Sequence, residues 1–145
     1  MKLHVILLVL ALYVSIPGFG QNQEDRTSIK TVTKEYLIAW QNGDEQLMES
    51  VVHPQMAKKI VFNAGSNQGA LAYLSAEDLL AQTRKKRPIT NPGEVGASIT
   101  ILDVYNNSAM VKAETANWID YLHMAKISGK WKIVNILWEL KYENF

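Results

Sequence analysis

The sequence predicts one α+β domain, with helices first, a mainly antiparallel sheet after them, and the helical layer on one face of that sheet. Three observations carry this. Apolar residues between Glu24 and Asn42 recur at three-and-four spacing, helix-capping side chains follow at Asp44 and Ser75, and four alternating segments joined by tight turns occupy the chain after Gly96. At 145 residues the chain has the length of a single domain.

The first helix, Glu24 to Asn42, places Ile29, Val32, Tyr36, Leu37 and Trp40 on one face, and Asn42-Gly43 supplies a left-handed stop. Asp44 can cap a second, shorter helix carrying Leu47, Met48, Val51 and Val52, ended by His53-Pro54 because the residue before proline avoids helical angles. Lys59 to Asn63 reads as a short strand, 64 to 69 as a turn, and Leu71 to Leu74 as its hairpin partner. Ser75-Ala76-Glu77-Asp78 resembles a capping box and opens a third helix through about Thr83. The basic run Arg84 to Arg87 then enters a loop with Pro88, Pro92 and Gly93.

Four neighbouring antiparallel strands are expected at Ala97 to Tyr105, Ala109 to about Trp118, Ile119 to Ile127, and Trp131 to Tyr142. Asn106-Asn107 and Ser128-Gly129 tolerate the positive φ of two-residue hairpins and so set the register. With Ile127 opposite Lys130 and Tyr105 opposite Ser108, strict alternation puts Leu102, Val104, Leu122, Met124, Ile133, Asn135 and Leu137 on one charge-poor face. The opposite face receives Asp103, Met110, Tyr121, His123, Val134, Ile136 and Trp138. An apolar patch rimmed by charge often marks a subunit contact, so a homodimer through Tyr121, His123, Val134, Ile136 and Trp138 is expected, with a solvated face of snorkelling side chains as the alternative.

Composition excludes several functions. Fifteen Lys and Arg against fourteen Asp and Glu leave a formal charge of +1, too little basic excess for a nucleic-acid partner. The absence of cysteine removes disulfides, thiolate metal sites and thiol catalysis. Neither an HExxH nor a phosphate-loop motif occurs, so no metal and no cofactor is expected. After Lys2, the charge-free run Val5 to Ile16 is too short to span a bilayer, which takes about 20 residues. It reads as a secretory signal over residues 1–20, cleaved before Gln21, with residues 21–145 as the exported domain, periplasmic or extracellular and without a stable membrane anchor.

The order of elements resembles the nuclear transport factor 2-like, ketosteroid-isomerase-like superfamily. Its putative lumazine-binding branch is matched by Trp40-Gln41-Asn42-Gly43-Asp44, Val52-His53-Pro54, Leu102-Asp103-Val104 and Asp120-Tyr121-Leu122, leading into Lys126-Ile127-Ser128-Gly129-Lys130-Trp131 and on to Asn135. Gln55 departs from the acidic residue expected after His-Pro. The resemblance implies a cystatin-like cone, with N-terminal helices held in the concave face of a curved sheet and a cavity open at one end. Isomerases, dehydratases, cyclases and non-catalytic proteins share that fold, so the site must choose among them.

For catalysis, Asp120 could abstract a proton while Tyr36 or Tyr73 donates to oxygen, with His53 as an alternative base. Each also has a structural reading: Asp120 as a strand-end residue bonded to a lysine or a turn, His53 as a ring ordering the helix end through a backbone hydrogen bond. For binding, Tyr36, Trp40, Phe62, Tyr73, Leu122, Met124 and Leu137 could line an apolar cavity in which Asn117 and Asn135 orient a flat ligand. The expected function is therefore binding of a small apolar or aromatic molecule without catalysis. A cofactor-independent isomerase, dehydratase or cyclase and a structural dimerisation module are the alternatives.

Overall fold

The computed structural model describes residues 17–63, 69–87 and 96–141. Helices α1 (Pro17–Asn42), α2 (Glu45–Val51) and α3 (Ala76–Arg84) accompany strands β1 (Val52–Asn63), β2 (Gly69–Ser75), β3 (Ser98–Tyr105), β4 (Ser108–Glu114), β5 (Trp118–Ile127) and β6 (Lys130–Leu140). The strands form one sheet in the order β2-β1-β6-β5-β4-β3, with β1 parallel to β6 and every other pair antiparallel. The signal-like run at 5–16 and the turns at 64–68 and 88–95 lie outside the described residues. Pro17–Gly20 belong to α1.

Local chemistry sets the element ends. Asp44 accepts the Leu47 N–H at 2.9 Å and starts α2. Ser75 and Asp78 exchange both capping-box bonds at the start of α3. Gly43, with φ of 70°, turns the chain after α1 where a Cβ would lie 2.6 Å from the Lys86 carbonyl oxygen. The first strand is longer than the expected Lys59–Asn63 segment: it starts directly at Val52, and its pairing to β6 slips between Val52 and Ala57. In the N-terminal half of α1, Asp25 Oδ1 accepts hydrogen bonds from Lys126 Nζ at 2.7 Å and Trp131 Nε1 at 3.0 Å. The bond from Lys126, then that from Trp131, hold its carboxyl below the usual range.

Both hairpin turns form at the expected residues, with positive φ at Asn106, Ser128 and Gly129. The registers start as predicted and then slip. From Ile127↔Lys130 the ladder runs to Met124↔Ile133, but the next pair is His123↔Asn135, leaving Val134 as an extra residue on β6. On β3, Leu102 is left over between Asp103↔Met110 and Ile101↔Val111. Each bulge reverses the side-chain alternation beyond it.

The expected faces of Ile136, Trp138, Asn135, Leu137 and Leu102 are corrected by this. Ile136 is wholly buried and Trp138 packs against the core, whereas both were expected on the outer face. Asn135 and Leu137 move the other way, Asn135 beside His123 and Leu137 38% exposed. Likewise Ile99 and Ile101 face the core, and Leu102 is 50% exposed. The core is then built from Ile29, Tyr36 and Leu37 of α1, Met48 and Val51 of α2, and Val111, Leu122, Met124, Ile133 and Ile136 of the sheet.

The reversal at Val134 is testable by paired truncations. Ile136→Ala should cost about 2–5 kcal/mol of folding stability and Leu137→Ala about 1 kcal/mol or less, read by urea denaturation in dilute solution. The opposite ranking would restore uninterrupted alternation.

Candidate functional site

Tyr36 and Trp40 sit one helical turn apart on α1 and therefore share a face toward the sheet. Under them, β1 points Met56, Lys58 and Ile60 inward on alternate positions, and Lys58 is registered beside Ile136 of β6. Asp120 of β5 is paired with Trp138, so the bulge at Val134 is what brings that indole to the inner side. The result is a polar cluster inside an apolar core: Tyr36, Lys58 and Asp120 are 2%, 7% and 1% exposed.

The three groups bond one another. Lys58 Nζ donates to the Tyr36 hydroxyl at 3.0 Å and to Asp120 Oδ1 at 3.3 Å, while the Tyr36 hydroxyl donates to Asp120 Oδ2 at 3.4 Å. The ammonium also lies 5.7 Å, 5.9 Å and 5.7 Å from the ring centres of Tyr36, Trp40 and Trp138, within reach of favourable cation–π contact. Trp40 in turn carries Lys86 over its ring at 4.2 Å. Trp40 and Trp138 are half-buried, so each of these two rings touches both the ammonium and solvent.

Burial is the largest influence on both charged partners. It pushes the Asp120 carboxyl up and the Lys58 amine down, and each partner's charge pulls the other back. The energy separating the ion pair from the neutral acid and amine is therefore smaller than it is in water. Burial, then the negative charge of Asp120, raises the Tyr36 hydroxyl well above its ordinary value, so it serves as a neutral donor.

Of the sequence-predicted site residues, only Tyr36, Trp40 and Asp120 come together. Leu122 and Met124 are buried core residues, and the Met124 sulfur meets the Thr33 hydroxyl at 3.8 Å. Tyr73 stands on the outer face under Lys59, 63% exposed, and Phe62 is 46% exposed near the end of β1. Asn117 lies in the exposed turn after β4, where its carbonyl receives the Lys141 N–H. Asn135 and Leu137 belong to the outer side. His53 Nδ1 accepts the Gln55 N–H at 3.2 Å, five residues along β1 from Lys58.

Sequence reasoning missed Lys58 and Trp138. Lys58 lay one residue outside the expected strand and so had no assigned face, although Met56, Lys58 and Ile60 mark the inner positions once β1 is extended. Trp138 was assigned outward because nothing in the hairpin turn announces a bulge several residues away.

A family model described as putative lumazine-binding matches residues 24–139. The chain belongs to that family. No curated protein matches it. Among solved structures, an NTF2-like protein of unknown function from Silicibacter pomeroyi is similar at 18% identity, covering 83% of this chain and 98% of that one, with a TM-score of 0.65. A second NTF2-like protein, from Methylobacillus flagellatus, is 23% identical, with 81% and 93% coverage and a TM-score of 0.59. A cystatin-like fold protein from Nostoc punctiforme is 14% identical, with 83% and 93% coverage and a TM-score of 0.58. These similarities establish an NTF2-like fold.

If the cluster is held together by mutual neutralisation, Lys58→Met alone should destabilise the protein by about 3–5 kcal/mol, because Asp120 is left buried and unpaired. Lys58→Met combined with Asp120→Leu should recover most of that loss in urea denaturation. A double variant as unstable as the sum of the two singles would show that the residues act independently.

Proposed function

We propose that this family member is an exported, non-catalytic binding protein for a small planar aromatic molecule, with its ligand seated between Trp40 and Trp138 against Tyr36, Lys58 and Asp120. The observation that carries the reading is the buried polar cluster itself. Apolar side chains of similar volume would fill such a place at least as stably, so three hydrogen-bonding groups under two half-buried indoles favour a functional over a packing explanation. Indole faces suit a flat ring, and the cluster's donors suit its polar edge. The family description supports a small-molecule ligand. Binding is favoured over proton abstraction because both Asp120 oxygens are engaged, one by Lys58 and one by Tyr36. Export rests on the Val5–Ile16 run.

Native mass spectrometry of the protein purified from its own host should show a retained ligand. Across a panel of lumazine, a flavin and a sterol, a planar member should quench tryptophan fluorescence, and Trp40→Ala should weaken its binding about tenfold, equivalent to about 1.4 kcal/mol. A clean apo mass with no quenching by any compound would defeat the proposal.

A homodimer through the outer sheet face accompanies this reading, with a revised surface. Among the described residues, every exposed large apolar side chain except Phe62 stands at an outward position of the sheet, Leu71, Tyr73, Leu102, Met110, Tyr121 and Leu137 among them. Met110, Tyr121, His123, Asn135 and Leu137 border a hollow of about 560 Å³ there. Tyr121, His123 and Val134 remain from the expected interface, and Ile136 and Trp138 are replaced by Met110 and Leu137. Sedimentation should report a dimer at micromolar concentration and a monomer for Met110→Glu combined with Tyr121→Glu. A monomeric wild-type protein would exclude the assembly.

A further inference from the structure

We infer that Lys58 is a nucleophilic amine that condenses with an aldehyde or ketone carried on a flat ring system, holding its ligand as a protonated imine. The inference deepens the binding proposal and rests on it, since the carbonyl must arrive between Trp40 and Trp138.

Four features of the cluster support it. Lys58 is the one buried lysine among the described residues. A carboxylate lies 3.3 Å from its nitrogen and a tyrosine hydroxyl lies 3.0 Å away. Three aromatic rings surround the nitrogen, and the two that reach toward solvent, Trp40 and Trp138, suit stacking on a conjugated carbonyl. Finally, burial draws the amine and the carboxyl toward a shared proton, which makes the uncharged, nucleophilic amine more accessible than it is on an exposed lysine. The nearby Lys86 ammonium acts in the same direction on Lys58.

The chemistry balances without an oxidant or a reductant. Asp120 takes one proton from the Lys58 ammonium, freeing its lone pair. The nitrogen attacks the carbonyl carbon, and the carbonyl π electrons move to oxygen, which the Tyr36 hydroxyl can stabilise by donation. A nitrogen-bound proton passes to that oxygen, giving a neutral carbinolamine. Asp120 returns its proton to the hydroxyl, the C–O bond breaks, water leaves, and the nitrogen lone pair closes the C=N bond. The net change is Lys–NH₃⁺ plus R₂C=O to Lys–NH⁺=CR₂ plus water. One cation replaces another, so Asp120 regains its counter-ion and the rings still surround a positive charge. Limited solvent access retards the reverse hydrolysis.

The test uses the full chain with 2-naphthaldehyde, reduction by sodium borohydride, and peptide mass mapping. The expected result is one adduct per chain at Lys58, with at least ten times the labelling of any other lysine. Lys58→Arg, which keeps the charge, should abolish it, and Asp120→Asn should slow it at least tenfold. Labelling spread over exposed lysines, or an unlabelled Lys58, overturns the inference. Binding of 2-naphthol, which has the ring but no carbonyl, is followed in parallel by tryptophan quenching in wild type and Lys58→Arg. If 2-naphthol binds while no adduct forms at Lys58, imine formation fails and the binding proposal stands. If neither compound binds, both fail.

Discussion

An ammonium group removed from water has to be met by opposite charge and by acceptors, and Lys58 in the middle of β1 imposes that requirement on three other elements at once. Helix α1 answers with the Tyr36 hydroxyl and the Trp40 ring, β5 with the Asp120 carboxylate, and β6 with the Trp138 ring. Asp120 cannot shift by a residue without leaving the Lys58 charge unpaired in the core, which costs several kcal/mol, and a shift of Tyr36, Trp40 or Trp138 would remove a hydrogen bond or a ring contact from the ammonium. The parallel pairing of β1 with β6 and the antiparallel pairing of β5 with β6 thus share one electrostatic constraint.

The bulge at Val134 belongs to the same arrangement. Before it, β6 points Trp131 and Ile133 inward; after it, Ile136 and Trp138. Uninterrupted alternation would turn Asn135 and Leu137 toward Lys58, offering an amide and an alkyl chain where an indole now meets the ammonium. The same extra residue also shapes the outer face, releasing Leu137 to stand near Tyr121 and Met110. One unpaired residue therefore sorts the side chains of both candidate surfaces, the ligand site within and the subunit contact without.

In the N-terminal half of α1, Asp25 performs a simpler task. Its carboxylate gathers Lys126 and the Trp131 indole, tying the N-terminal half of the helix to the β5–β6 hairpin. The helix is thus held to the sheet by two polar contacts, at Asp25 and at Tyr36, with apolar packing through Ile29 and Leu37. Lys126 is partly solvated at Asp25, whereas the Lys58 cluster is almost wholly dry. That difference in solvation separates a fastening from a group whose protonation can be used.

The sequence by itself determined what depends on neighbours along the chain. The Asp44 cap, the Ser75–Asp78 capping box, the Gly43 stop and the two hairpin turns are made by side chains or φ angles within a few residues of each other, and all formed where the spacing put them. The inward placement of Asp120, Leu122 and Met124 followed from the same turns, because no bulge interrupts β5 itself. Only the tertiary structure decided the rest. A bulge is a compromise between strands distant in sequence, and a buried charge chooses its partners across the core, so neither the reversal at Val134 nor the meeting of Tyr36, Lys58 and Asp120, 22 and 62 residues apart in the chain, leaves a local mark to read.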